Sequence, residues 1–171
     1  MNFIHLDNDS IFNVLKEQEL NPLIEKDSGL VYILIETDDK GTPDTQSPLF
    51  FVIRNDNTLL QLISYLPFSL KPHLKEEIAR LLHLLNKDLD LPGFGMDEEQ
   101  GLIFYRSVIP CLESQIAATL LKVYISTIQL VCESFTHAIG LVSSGSLTVQ
   151  SLQNEKMKHM NDENKSPPLT T

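Results

Sequence analysis

The side chains that most often carry chemistry are sparse in this chain and poorly spaced for it. Histidines stand at positions 5, 73, 83, 137 and 159. No two are four residues apart, the spacing that sets two imidazoles on one helix face for a metal ion. The sequence contains no HExxH and no CxxC. Its two cysteines, Cys111 and Cys132, each lie in an apolar run, which favours buried free thiols in a reducing compartment. A thiol becomes a nucleophile where a basic or polar neighbourhood lowers its pKa, and neither run supplies one. There is no GxSxG. Gly93-Phe94-Gly95 lacks the further glycines and the lysine of a phosphate loop.

The stretch from Asp88 to Glu99 superficially tracks a calcium loop. It has acids at its first and third positions, a glycine at the sixth and Glu99 at the twelfth. Pro92 stands where the fifth-position oxygen donor belongs, and Gly95 takes the place of the usual apolar anchor. The residues after it read as strand, where a calcium loop needs a helix. The stretch therefore reads as a helix stop followed by an acidic turn. No metal ligand, cofactor contact or catalytic residue is assigned, and the chain is expected to be no enzyme.

The bulk numbers agree with a binding role. The 171 residues make one ordinary domain. A formal net charge of −10 repels phosphate, which argues against nucleic acid and anionic membrane surfaces as partners. The longest apolar stretch, residues 116–142, is interrupted by Lys122, Gln129, Glu133 and His137 and reads as a buried helix, with no membrane insertion. The N-terminus reaches Asp7 and Asp9 without a basic region and does not read as a secretory signal.

Eight elements are expected around these positions. Asn8-Asp9-Ser10 can cap a first amphipathic helix carrying Ile11, Phe12, Val14 and Leu15, ending near Asn21-Pro22. Strands follow at 30–35, 49–53 and 59–65, joined by the polar loop 38–44 and the turn Asn55-Asp56-Asn57. Short loops imply antiparallel neighbours. A second helix after Pro72 carries Ile78, Leu81, Leu82 and Leu85 at helical spacing and stops at Pro92-Gly93. A short strand ending near Asp97, a turn and a strand at 102–109 make a second hairpin. The third helix has an unbroken stripe from Ala117 through Leu121, Ile128 and Phe135 to Val142, widened by Ile116, Leu120, Val123, Leu130 and Ile139. The fold class is α+β, an antiparallel sheet packed with helices in the order α-β-β-β-α-β-β-α. Residues 1–145 form the domain, and 146–171 form a polar tail expected to be disordered.

The strands lack the apolar–polar alternation of a sheet with one wet face. Val31, Ile33 and Ile35 oppose Tyr32 and Leu34; Phe51 and Ile53 oppose Phe50 and Val52. Both faces are apolar. Either both faces are covered within the monomer, or the surplus, with the wide stripe on the third helix, marks surfaces that another protein covers and a homodimer.

The element order, the acidity, the first amphipathic helix, the hairpin strand Gly101-Leu102-Ile103-Phe104-Tyr105-Arg106 and the apolar last helix resemble the class I type III secretion chaperones. The fold is shared with the YbjN family of sensory transduction regulators. The resemblance covers roughly residues 9–142. It implies a homodimer in a bacterial cytoplasm that holds secreted effector proteins as extended segments before export and meets the secretion apparatus. A YbjN-like non-catalytic regulator without an export role is the first alternative, and an uncharacterised enzyme on the same scaffold is the second. By element, the resemblance places partner-binding patches at Phe12, Leu15, Val31, Ile33, Phe51 and Ile53, with strand addition at a sheet edge. The long polar tail departs from the pattern.

Overall fold

The computed structural model describes residues 2–36 and 46–154. The expected loop at 38–44 and most of the expected tail lie outside them. The α+β order is present, with three short strands added. The chain runs β1 (Phe3–His5), α1 (Asn8–Glu17), β2 (Leu23–Ile24), β3 (Val31–Glu36), β4 (Gln46–Arg54), β5 (Leu59–Ser69), α2 (Lys75–Asp88), β6 (Phe94–Asp97), β7 (Leu102–Pro110), β8 (Gln115–Ala117) and α3 (Ala118–Ser144). Six strands form one antiparallel sheet, β2-β3-β4-β5-β7-β6, and β1 pairs with β8 beside it. Strands β1, β2 and β8 have three residues or fewer, too few for a periodic pattern to announce them.

Local chemistry explains the joints. The cap of α1 is Asp7, whose carboxylate accepts the Ser10 N–H at 2.7 Å and so satisfies a backbone donor that the first turn leaves free. The β4–β5 hairpin turns through Asn55, Asp56 and Asn57, all with positive φ. Asn and Asp tolerate this left-handed region better than other residues with a Cβ. The strand β6 would leave a bare sheet edge, and Asn86 of α2 covers it. Its side-chain amide donates to the Phe94 carbonyl at 2.8 Å and accepts the Gly93 and Phe94 N–H groups at 3.0 and 2.9 Å. One side chain thus pairs the start of β6 as a neighbouring strand would.

All three helices contribute to a core on one face of the sheet. Val31, Ile33, Leu49, Phe51, Leu60 and Leu62 are buried on that inner face. They meet Ile11 and Leu15 from α1, Ile78 and Leu82 from α2, and Ile125 and Ile128 from α3, in one cluster. Helix α3 is long and apolar enough to cross a membrane by length and composition, but here its inner side packs in this core. Gly140 allows it close to β5, because a Cβ there would lie 2.8 Å from the Phe68 ring.

The chain goes on packing against the domain past residue 145. Gly145 does end α3 with φ of 82°, a left-handed cap that suits glycine. The chain then forms a helical segment at 149–154 that packs back on the domain. Val149 is buried, its N–H donates to the Glu77 carboxylate at 2.6 Å, and Gln153 accepts from Arg80. Leu147, Val149 and Leu152 among polar residues make too short a run for its pattern to reveal this docking.

Candidate partner-binding surfaces

The residues with chemical potential are either locked away or unassembled. Among the described residues, no three His, Cys, Asp or Glu side chains come together to hold a metal ion. The calcium-like stretch is divided between the end of α2 and strand β6. The Asp97 carboxylate accepts the N–H groups of Glu99 and Gln100, as in an ordinary acidic turn. Both cysteines are free and buried. Burial pushes the Cys132 thiol up to about 12 and raises Cys111 as well. Neither forms a thiolate readily. Tyr105, likewise raised by burial, donates its hydroxyl to the Leu91 carbonyl and holds the turn before β6.

Four of the six expected partner-binding residues lie in the core of the chain. Leu15, Val31, Ile33 and Phe51 are at most 2% exposed. Phe12 and Ile53 are partly buried and pack against the same core. Val31, Ile33 and Phe51 share one sheet face, as their spacing implies, and it is the face that the helices cover. Pleat parity tells which residues share a face, not which face is wet.

Most of the exposed large apolar side chains among the described residues gather in two other places. The first is the outer sheet face. Tyr32, Phe50, Tyr65 and Phe104 form a row of rings across β3, β4, β5 and β7, with centroids 5.3, 6.0 and 6.4 Å apart. At β6 the row ends on Gly95, where a Cβ would lie 2.8 Å from the Phe104 ring. The absent side chain lets the ring lie down on the strand. Arg106 stacks over Phe104 at 5.9 Å, a cation–π geometry. Leu34 and Val108 flank the row, each 45% exposed.

The second place is a groove of about 470 Å³ lined by Phe3, Leu112, Ile116, Leu120 and Val123, beginning where β7 ends at Pro110. Its walls are unusually bare. Leu112 is 84% exposed, Val123 59% and Phe3 56%. Leu130, two turns further along α3, is also exposed. The wide apolar stripe of α3 therefore splits into a buried side and an open side, Leu120-Val123-Leu130, at helical spacing. At the groove's rim Glu113 and Ser114 both have positive φ, 53° and 54°, an uncommon backbone for residues with a Cβ. The Ser114 carbonyl is pinned by the Leu6 N–H at 2.8 Å and by His5 Nδ1 at 2.7 Å. A strained turn held by two partners displays Leu112 to solvent. Nothing in the sequence around Leu112 marks it, since the signal is a backbone conformation.

Comparisons with known proteins fit this architecture. The sequence profile of the YbjN family, described as "Putative bacterial sensory transduction regulator", matches residues 7–141. Among solved structures, that of YbjN from E. coli, titled a putative transcription regulator, is similar with a TM-score of 0.55 at 8% identity, covering 84% of this chain and 95% of that one. The ExsC–ExsE complex is similar with a TM-score of 0.48 at 13% identity, covering 77% of this chain and 95% of that one. At such identities the likeness is one of fold. No curated protein sequence matches the chain.

Proposed function

The chain belongs to the YbjN family, and from that premise we propose that it works by holding another polypeptide rather than by turning over a substrate. The observation that carries this is the apolar groove between β1, β8 and the open side of α3. Apolar side chains this exposed are costly to leave in water, at about 25 cal/mol per Å², and a contiguous set of them marks a binding site. The groove's volume of about 470 Å³ suits a few side chains of an extended or helical segment. The inert thiols and the dispersed acids and histidines support binding over catalysis.

In its specific form the reading is a secretion chaperone in a bacterial cytoplasm. It would bind effector proteins of a type III system before export, keep their apolar segments covered, and release them to the secretion apparatus. Release by the export machinery requires no nucleotide site on this chain. The family match favours a second form, a regulator that sequesters a signalling protein without any export role. Both use the same binding act, and the identity of the partner separates them.

The test begins with tagged protein expressed in its native host. Captured partners are identified, purified and titrated back against the wild type and a Val123→Glu variant. The expected result is saturable, stoichiometric binding that the variant weakens at least tenfold. An exported partner selects the chaperone form, and a signalling or DNA-binding partner selects the regulator. Equal binding by the variant would remove the groove from the mechanism.

A further inference from the structure

We infer that the cleft between α2 and α3 is a docking site for this chain's own C-terminal extension, with Met157 and Met160 as its apolar anchors. The cleft has a volume of about 480 Å³ and is lined by Leu81, Leu84 and Leu85 of α2, by Phe135 of α3, and by Val149 and Leu152 of the segment at 149–154. Register is the first argument. The Val149 N–H donates to Glu77 on α2, and four residues on, Gln153 accepts from Arg80. The segment therefore runs parallel to α2, turn for turn. At Gln153 it has reached Arg80, and α2 goes on to Asp88. Residues 155–160 follow in the sequence. Continued as a helix, they advance about 9 Å, past Leu84 and Leu85 toward Lys87 and Asp88, which also line the cleft.

Sequence pattern is the second argument. On a helix continued from Val149, the residues Val149, Leu152, Met157 and Met160 stand at i, i+3, i+8 and i+11, all on one side. The apolar residues stop there. Residues 161–166 are all polar or charged, and Pro167-Pro168 cannot continue a helix. The stripe thus ends where α2 ends. Methionine suits the place, because its unbranched, polarizable side chain fills irregular gaps. Lys156 shares the side of the stripe. Its stem can lie on the cleft wall while its ammonium reaches the carboxyl end of α2, where a cation is favoured. Tethering favours this occupant over a free polypeptide, since a segment joined a turn away is present at an effective concentration in the millimolar range. Docked there, the extension closes the cleft to other chains. The groove proposed to hold a partner lies elsewhere, about 20 Å back along α3.

The first measure needs no variant. The full-length chain is treated with dilute peroxide, and sulfoxide formation at Met157 and Met160 is followed by mass spectrometry. Both should oxidise at least fivefold more slowly than in a free peptide of residues 149–171. Equal rates would overturn the proposal. The second measure is a cross-link. Leu84→Cys with Met157→Cys should close to a disulfide within one chain at least tenfold faster than Leu84→Cys with Ser166→Cys. The native Cys111 and Cys132 are buried and do not compete. Like rates for the two pairs would overturn the proposal. So would a cross-linked product of twice 19.3 kDa, which would assign the cleft to the extension of a second copy. Met157→Glu with Met160→Glu should lower Tm by a few degrees, as should truncation after Asn154, and a Tm indifferent to both would count against docking. Val123→Glu, in the other groove, should leave the protection of the methionines unchanged. Loss of protection in that variant would place the extension in the partner groove and overturn the proposal equally.

Discussion

Phe50 and Phe51 are neighbours on β4 with the same chemistry, and the fold sends them to opposite faces. Phe51 is fully buried between Val31 on β3 and Leu62 on β5, under the helices. Replacing it with Ala removes a ring's burial and leaves a cavity that close packing cannot heal, at a cost of about 3–5 kcal/mol. Against a total stability of about 5–15 kcal/mol for a domain, that is a large fraction. For a chain of this size it lowers Tm by roughly 10 °C. Phe50 is only partly buried and touches the rings of Tyr32 and Tyr65. Such ring pairs contribute about 0.5–1.5 kcal/mol each beyond their area when well packed, and part of this one stays wet on either side. Phe50→Ala should therefore cost the isolated chain about 1–2 kcal/mol. The assay is urea unfolding followed by far-UV circular dichroism, at low protein concentration so that self-association does not enter. A slope unchanged by the mutations would license comparing midpoints. If Phe50→Ala cost as much as Phe51→Ala, the assignment of inner and outer faces would be wrong.

Asn86→Ala should cost about 1–3 kcal/mol, because it strands the Gly93 and Phe94 N–H groups and the Phe94 carbonyl; hydrogen exchange at Gly93 and Phe94 should accelerate, and unchanged exchange would show the edge is held otherwise. Truncation after Gly145 should lower Tm by several degrees, since it removes buried Val149 and its bond to Glu77; an unchanged melting curve would mean that the 149–154 segment adds nothing. Cys132 should resist thiol reagents in the native chain. Its folded pKa lies above its ordinary 9.0, at about 12, so the unfolded chain loses this proton first as pH rises. The stabilisation is complete below about pH 9 and declines between about 9 and about 12, by up to ~1.4 kcal/mol per pH unit. Cys132→Ala should flatten that decline, and a variant with the same alkaline slope would place its cause elsewhere.

The long elements were legible because their periods repeat. Ile78, Leu81, Leu82 and Leu85 can share one helical face only as a helix, and the run at 30–35 is too short and too β-branched to be anything but a strand. Asn55-Asp56-Asn57 announced its turn because those residues tolerate positive φ. What needed three-dimensional contacts stayed hidden. The pairing of β1 with β8 joins residues more than a hundred positions apart, and the docking of Val149 depends on a carboxylate in α2.

The candidate site was legible only in part. That this chain carries more apolar surface than one core absorbs follows from the sequence alone, from Tyr32 and Leu34 opposite Val31 and Ile33, and from Leu120, Val123 and Leu130 beside the main stripe of α3. Which of those surfaces faces water does not follow. A strand's pleat sorts side chains into two sets by parity, and a helix stripe assigns them by angle, but neither carries the sign that says where the rest of the molecule sits. That sign is set when α1, α2 and α3 all settle on the same face of the sheet. The packing buries Leu15, Val31, Ile33 and Phe51, opens the ring row on the other side, and, through two left-handed residues at Glu113 and Ser114, turns Leu112 outward.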